Sequence, residues 1–221
     1  MQLRVWPEEA AIPHESRVGS PGAFARDRVR LVKRLMPPQS VRRPALLSLF
    51  ILLLGGCTGA PEGVSPVSGF ELERYLGTWY EIARLDHRFE RGLTNVMATY
   101  SLGEEGGLLV VNRGYDPEVA EWKEVQGKAY FLGDDTVGML AVSFFGPFYG
   151  GYNVIALDFD SYAWSMVAGP DRSYLWILSR SPELPDELFE RLIAEAKALD
   201  FPVERLIRVS HDSPPPLDRE D

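Results

Sequence analysis

The sequence predicts an all-β fold: an eight-stranded antiparallel up-and-down barrel with one C-terminal α-helix packed outside. Three observations carry this. From residue 78 to residue 180, β-branched and aromatic runs alternate with turn signals. Three of the turns are tight, Gly- and Asp-rich hairpins, so successive strands run antiparallel. Eight such strands leave no unpaired edge only when the sheet closes on itself. A two-sheet sandwich is the alternative that spacing alone leaves open.

The 221 residues are 45% hydrophobic and 25% charged, which are globular proportions. A net charge of −9 speaks against a nucleic-acid binder steered by bulk charge. One cysteine excludes an intramolecular disulfide framework and any multi-cysteine zinc site. The charge is unevenly placed. Residues 1–56 hold 9 Lys+Arg and 4 Asp+Glu, whereas residues 57–221 hold 14 and 28. At the break, Arg42 and Arg43 precede the apolar run Ala45–Leu54, followed by Gly55, Gly56 and Cys57. That run is half the ~20 residues a spanning helix needs. A basic start, a short apolar core and small residues describe a secretory signal. Residues 36–56 form such a signal by themselves. Residues 1–35 read as an upstream extension of the frame, with the start at Met36, or as a disordered arm.

The tetrad Leu54-Gly55-Gly56-Cys57 resembles a bacterial lipobox, in which the cysteine is diacylated and becomes the first residue after cleavage. The competing reading, a small buried cysteine, has no element to bury it, because Gly55-Gly56 precedes it and Thr58-Gly59-Ala60-Pro61 follows. Acyl chains anchor through about 0.8 kcal/mol per buried CH₂, and two or more hold where one does not. Thr58, where an aspartate would retain the protein at the inner membrane, points by resemblance to Gram-negative lipoproteins to the outer membrane, on its periplasmic face.

The elements follow in order. Residues 57–69 read as a Pro/Gly/Ser-containing tether that reaches on the order of 20 Å as a random coil. Residues 70–210 form the folded domain. Phe70–Leu76 gives one helical turn. Strands are expected near 78–87, 94–102, 107–115, 122–132, 136–145, 151–158, 161–168 and 173–180. Gly103–Gly106, Gly133–Asp135 and Asp158–Asp160 read as tight hairpins. Asp86–Leu93, Asp116–Glu121, Phe145–Gly150 and Gly169–Arg172 read as longer loops. Alternate connections lie at opposite ends of a meander, so short turns are expected to close one end and long loops to rim the other. Pro185–Leu199 is the helix, with Leu188, Phe189, Leu192, Ile193, Ala196 and Leu199 on one face. Phe201-Pro202 stops it. A short strand is expected near Leu206–Val209, and residues 211–221 form a disordered tail.

Three stretches carry a family resemblance. Arg74–Arg84, with Gly77 and Trp79 at its centre, resembles the lipocalin Gly-x-Trp block on the first strand. Asp158-Phe159-Asp160-Ser161-Tyr162 is similar to the second lipocalin block, and Arg180 matches the arginine of the third. The match covers about residues 66–210. It implies a barrel floor built from Gly77, Trp79 and Arg180, with Arg180 lying across the Trp79 ring, a contact of about 0.5–2 kcal/mol. It also implies a hydrophobic ligand in the barrel: in bacterial members a fatty acid, phospholipid or lysophospholipid, bound, stored or carried for envelope maintenance. A homodimer is a further expectation from the family, and no cofactor is implied.

Charge placement locates the mouth. The tight turns carry Glu104, Glu105, Asp134, Asp135, Asp158 and Asp160, whereas the long loops carry Arg88 and Arg91 beside Phe89, and Arg172. Those arginines are candidates for an anionic head group, which a guanidinium grips bidentately, with Phe148 and Tyr149 as an apolar lip. The competing reading pairs them with Asp86, Glu90 and Asp171. The pattern offers no catalytic or metal set. The three histidines are His14, His87 and His211, and no nucleophile elbow, phosphate loop or paired-histidine motif occurs. A structural lipoprotein with a filled barrel and an enzyme on the same fold remain as alternatives.

Overall fold

The computed structural model describes residues 58–104 and 106–212. Cys57, the expected signal segment, the 1–35 extension, Glu105 and the tail beyond 212 lie outside the described residues. A short helix α1 (Leu72–Tyr75) precedes β1 (Gly77–Leu85). The meander continues through β2 (Thr94–Leu102), β3 (Leu108–Asp116), β4 (Glu121–Phe131) and β5 (Met139–Phe145). It then runs through β6 (Phe148–Leu157), β7 (Trp164–Ala168) and β8 (Leu175–Ser179). Each strand pairs with the next, β8 returns to β1, and β1 also pairs with β2 from Gly77↔Tyr100 to Tyr80↔Met97. The sheet is therefore a closed barrel, and the sandwich is excluded. Period-two burial shows why these residues make strands: in β4, buried Gly127 and Ala129 alternate with exposed Gln126, Lys128 and Tyr130.

Helix α2 (Asp186–Ala198) packs outside the barrel as its apolar face dictates. Leu192 and Ala196 are fully buried against a cluster that includes Ile82, Ile155, Met166 and Ile177. Burying a leucine of this kind contributes about 2 kcal/mol. A 3₁₀ turn then leads to β9 (Leu206–Arg208), which pairs with the end of β1 from Ala83↔Arg208 to Leu85↔Leu206. Beyond it the Val209 amide donates to Ile82 O, and the Asn95 amide of β2 donates to Ser210 O at 2.7 Å. A ring nitrogen of His211 lies 2.8 Å from Glu81 O. The C-terminal segment thus seals the seam where β1 leaves β2, and the folded domain continues through His211, beyond the expected boundary at 210.

Two expectations need correction. Residues 58–69 do not form a free tether. Pro61 and Val64 are buried, the Val67 amide donates to Val154 O at 2.8 Å, and the Gly138 amide donates to Val67 O at 2.9 Å. Arg172 Nη2 also donates to Glu62 O at 2.8 Å. The segment is a strap along the barrel wall. Nor does loop length sort the two ends. The link between β5 and β6 is only Gly146-Pro147, because β6 begins at Phe148, while the β4–β5 link at the opposite end spans 132–138.

Between Glu81 and Ala83 the register of β1 against β8 slips by one residue. In a regular strand Glu81 and Arg84 would face opposite sides, but a bulge re-aims the side chains that follow it. Both turn inward here and meet.

Candidate functional site

The barrel floor is built from aromatic and backbone groups. Trp79 is fully buried, its Nε1 donates to Tyr75 O at 2.8 Å, and its ring packs tilted against that of Tyr75 with centroids 4.6 Å apart. The Arg180 guanidinium lies 3.9 Å over the Trp79 ring. It donates to Thr78 O at 2.9 Å, Arg74 O at 2.7 Å, Leu76 O at 2.9 Å and Tyr162 O at 3.3 Å. Gly77, at φ 94°, takes a left-handed conformation, and a Cβ there would lie 3.3 Å from Arg180 Nη1. These three residues meet in one place and close the end.

Above the floor three tyrosines form a polar ring that is already satisfied. Tyr75 Oη lies 2.8 Å from Tyr152 Oη and 3.0 Å from Ser165 Oγ, and Tyr100 Oη donates to Tyr152 Oη at 2.9 Å. Burial pushes the Tyr75 hydroxyl up to about 12, so it stays protonated. Over these rings opens a cavity of about 570 Å³, walled by aliphatic and aromatic side chains such as Val96, Val110, Val142, Leu178 and Trp176. Ligand pockets commonly measure about 300–1,000 Å³. The barrel is hollow.

One side of the wall carries a buried polar cluster that sequence reasoning did not single out. Arg84 Nη1 donates to Glu81 Oε1 at 2.6 Å, and Arg84 Nη2 donates to Glu90 O at 2.7 Å. Trp176 Nε1 donates to Glu90 Oε2 at 3.2 Å, and His87 Nε2 lies 3.3 Å from the same oxygen. Burial, and then the charge of Glu90, push the Glu81 carboxyl well above its ordinary range; burial also raises Glu90. His87 is held down at about 4 by burial and then by Arg84. Arg84 Nε and both His87 ring nitrogens have no hydrogen-bond partner among the described residues. One signal was available, because Glu81 lies two residues after Trp79 and so on the same inner face. Across the cavity stand Arg113, paired with Glu124 at 2.6 Å, and Lys123, paired with Asp116. No group of three or more His, Cys, Asp or Glu that could hold a metal occurs among the described residues.

The mouth candidates separate. Phe89, Phe148 and Tyr149 line the cavity opening. Arg88 is exposed beside Phe89. Arg91 forms an ion pair with Asp86 at 2.8 Å, the competing reading for that residue. Arg172 is not at the opening. Its Nε donates to Leu199 O at 2.8 Å, its Nη2 donates to Glu62 O, and its guanidinium lies 6.0 Å over Phe201. It clamps the strap to the end of α2, a role that a loop position alone does not reveal.

A closed eight-stranded barrel with a Trp–Arg floor, a hollow interior and an outer helix defines a class. Residues 70–211 match the lipocalin-like domain, and the chain belongs to the lipocalin family. Within it the chain is 53% identical over 165 residues to outer membrane lipoprotein Blc of Citrobacter freundii, covering 75% of this chain and 93% of that relative. It is 52% identical over 167 residues to the protein of the same name from Vibrio cholerae serotype O1, covering 76% and 98%. Among solved structures, insecticyanin from the tobacco hornworm Manduca sexta superposes with a TM-score of 0.56 at 22% identity, covering 69% of this chain and 86% of that one; this likeness shows the fold alone. Family and relatives together define a hydrophobic-ligand-binding envelope lipoprotein of the outer membrane.

Proposed function

We propose that this lipocalin binds a fatty acid, phospholipid or lysophospholipid in its barrel and stores or carries it for membrane maintenance, anchored through acylated Cys57. The observation that carries the reading is the apolar cavity of about 570 Å³, open at one end and floored by satisfied tyrosine hydroxyls. An acyl chain fits against Val110, Val142 and Leu178, above the rings of Tyr100 and Tyr152. Its polar head then lies level with the charged wall of Glu81, Glu90, Arg113 and Lys123, or at the rim near Arg88. A hollow interior favours a carrier over a structural lipoprotein with a filled barrel.

Ala98 lines the cavity on β2, and filling the space it leaves tests the reading. Ala98→Phe is expected to weaken uptake of a fluorescent fatty acid by about tenfold or more, the effect of a few methylene-sized clashes. Thermal melting of the same variant checks that the barrel is intact. Full-strength uptake by a folded Ala98→Phe protein would place the ligand elsewhere.

A further inference from the structure

The charges in the cavity wall do not balance. Glu81 and Glu90 both line the cavity, and buried Arg84 serves the two of them. Its Nη1 donates to the Glu81 carboxyl at 2.6 Å, but its Nη2 donates only to the main-chain oxygen of Glu90, at 2.7 Å. The Glu90 carboxyl accepts from Trp176 Nε1, a neutral donor. Other charged groups nearby are engaged with one another: Arg113 with Glu124, Lys123 with Asp116, and Arg91 with Asp86. His87 is neutral, held at about 4 by burial and then by Arg84, and burial keeps the Tyr100 hydroxyl protonated. Two carboxyls thus share one cation.

A second observation marks the same place. His87 is only 7% exposed and its Nε2 points at Glu90 Oε2 from 3.3 Å. Neither of its ring nitrogens has a hydrogen-bond partner among the described residues. Buried polar groups are ordinarily hydrogen-bonded, so an unpartnered one beside a cavity-lining carboxyl leaves room for a partner carried in by the ligand. Without a further cation, the carboxyl pair meets its surplus negative charge by keeping a proton, which is why burial, and then the charge of Glu90, raise Glu81.

We propose that Glu81 and Glu90 form a subsite for an ammonium group, so that the barrel prefers an amphiphile with a primary amine at its head. This rests on reading the cavity as a lipid cup. A primary ammonium offers three donors and no acceptor. The two carboxyls accept from it, and the neutral His87 ring can supply a further acceptor nitrogen. Trp176, which lines the same cavity, adds the attraction of an aromatic face for a cation. The exchange conserves charge: as the ammonium enters, the shared proton leaves to solvent, and two carboxylates then face two cations. Neither Arg84 nor His87 gives up a proton, since a guanidinium stays charged at neutral pH and the histidine is already neutral. A bare carboxylate head gains nothing here, because it meets like charge.

The test titrates single-chain ligands at pH 7 into the full-length protein held in a non-ionic amphipathic polymer. Myristoyl lysophosphatidylethanolamine is compared with myristoyl lysophosphatidylglycerol, which keeps the phosphate and lacks the ammonium. Tetradecylamine separates a bare ammonium from a zwitterionic head, and monomyristoyl glycerol is the uncharged reference. The ethanolamine lipid is expected to bind about tenfold tighter than the glycerol lipid and to release up to about one proton. Calorimetry in two buffers of different ionisation enthalpy reads that proton on the unaltered protein. Glu81→Gln or Glu90→Gln leaves Arg84 with a single carboxylate and no surplus charge. Each is expected to reduce the preference to less than about twofold and to abolish proton release, with the affinity for monomyristoyl glycerol unchanged. Equal affinities of the unaltered protein for the two lysolipids overturn the proposal, as do binding without proton release and a preference that survives in both variants. Tight tetradecylamine binding that both variants weaken supports a site for the ammonium alone; weak tetradecylamine binding beside the ethanolamine-lipid preference supports a zwitterionic head. Uptake of monomyristoyl glycerol with no ammonium preference defeats the subsite and leaves the cup standing, whereas no uptake of any ligand defeats both.

Discussion

Arg180 at the floor and Arg84 in the upper wall are two guanidiniums held inside one barrel by opposite means. Arg180 spends its donors on four backbone carbonyls and lies over an indole, with no carboxylate involved. Arg84 faces Glu81 and Glu90, two carboxyls competing for one cation, beside a neutral histidine and with its own Nε unpaired among the described residues. Carbonyls do not titrate, so the floor is indifferent to pH. The upper wall holds its charge only as its proton count allows. Structural rigidity and adjustable polarity are thereby assigned to different heights of the same barrel.

The sharpest way to break this contrast is at the floor. Arg180→Met strips four carbonyls of a charged donor and is expected to cost about 3 kcal/mol in urea unfolding, nearly the same at pH 5 and pH 8. A cost that grows with pH would show that the floor is not the pH-blind end.

Next in size is His87. Its proton leaves near 6.5 in the unfolded chain and near 4 in the folded one. Between those values the unfolded state binds the extra proton, so stability falls as pH drops through that window. His87→Gln is expected to reduce that fall by about 2 kcal/mol, read from unfolding midpoints across the window. Glu81 and Glu90 act in the opposite sense, because their raised values make the folded state take up protons first. A steeper acid loss in His87→Gln would mean that His87 is charged in the folded protein.

The smallest effect is expected at the rim. Arg88 is exposed, so Arg88→Ala should change stability by less than about 0.5 kcal/mol. Its affinity for an anionic single-chain lipid should fall by about two- to threefold, with a neutral lipid unaffected. Titration of both lipids checks this, and equal affinities before and after substitution remove Arg88 from head-group contact.

Much of the fold was legible because it depends on local pattern: alternation, turn residues, one amphipathic helix, and a Gly-x-Trp block whose glycine must accept a positive φ. The floor was legible for the same reason. What escaped detection depends on long-range placement. Phe148–Gly150 reads as part of a loop, yet β6 already begins at Phe148, and a Cβ on the neighbouring Gly151 would lie 2.5 Å from Thr58 O, a contact no local pattern announces. The Glu81–Arg84 pair requires a bulge, which no period-two reading contains. Arg172 sits in a loop of the right kind, but its partners are 27 and 110 residues away in sequence. The strap's composition is that of a coil, and its contacts with β6, the 132–138 link and Arg172 order it.

The seam strand β9 also sets the order in which the molecule can be finished. β1 meets β2 over only its first half, and the rest of that flank is covered by residues 206–211, which follow all eight barrel strands in the chain. Closure therefore joins the beginning of the domain to its end, a contact of high sequence separation that forms slowly. The eight strands close on themselves through β8 and β2, but the upper half of the β1 flank stays open until this later segment docks on it.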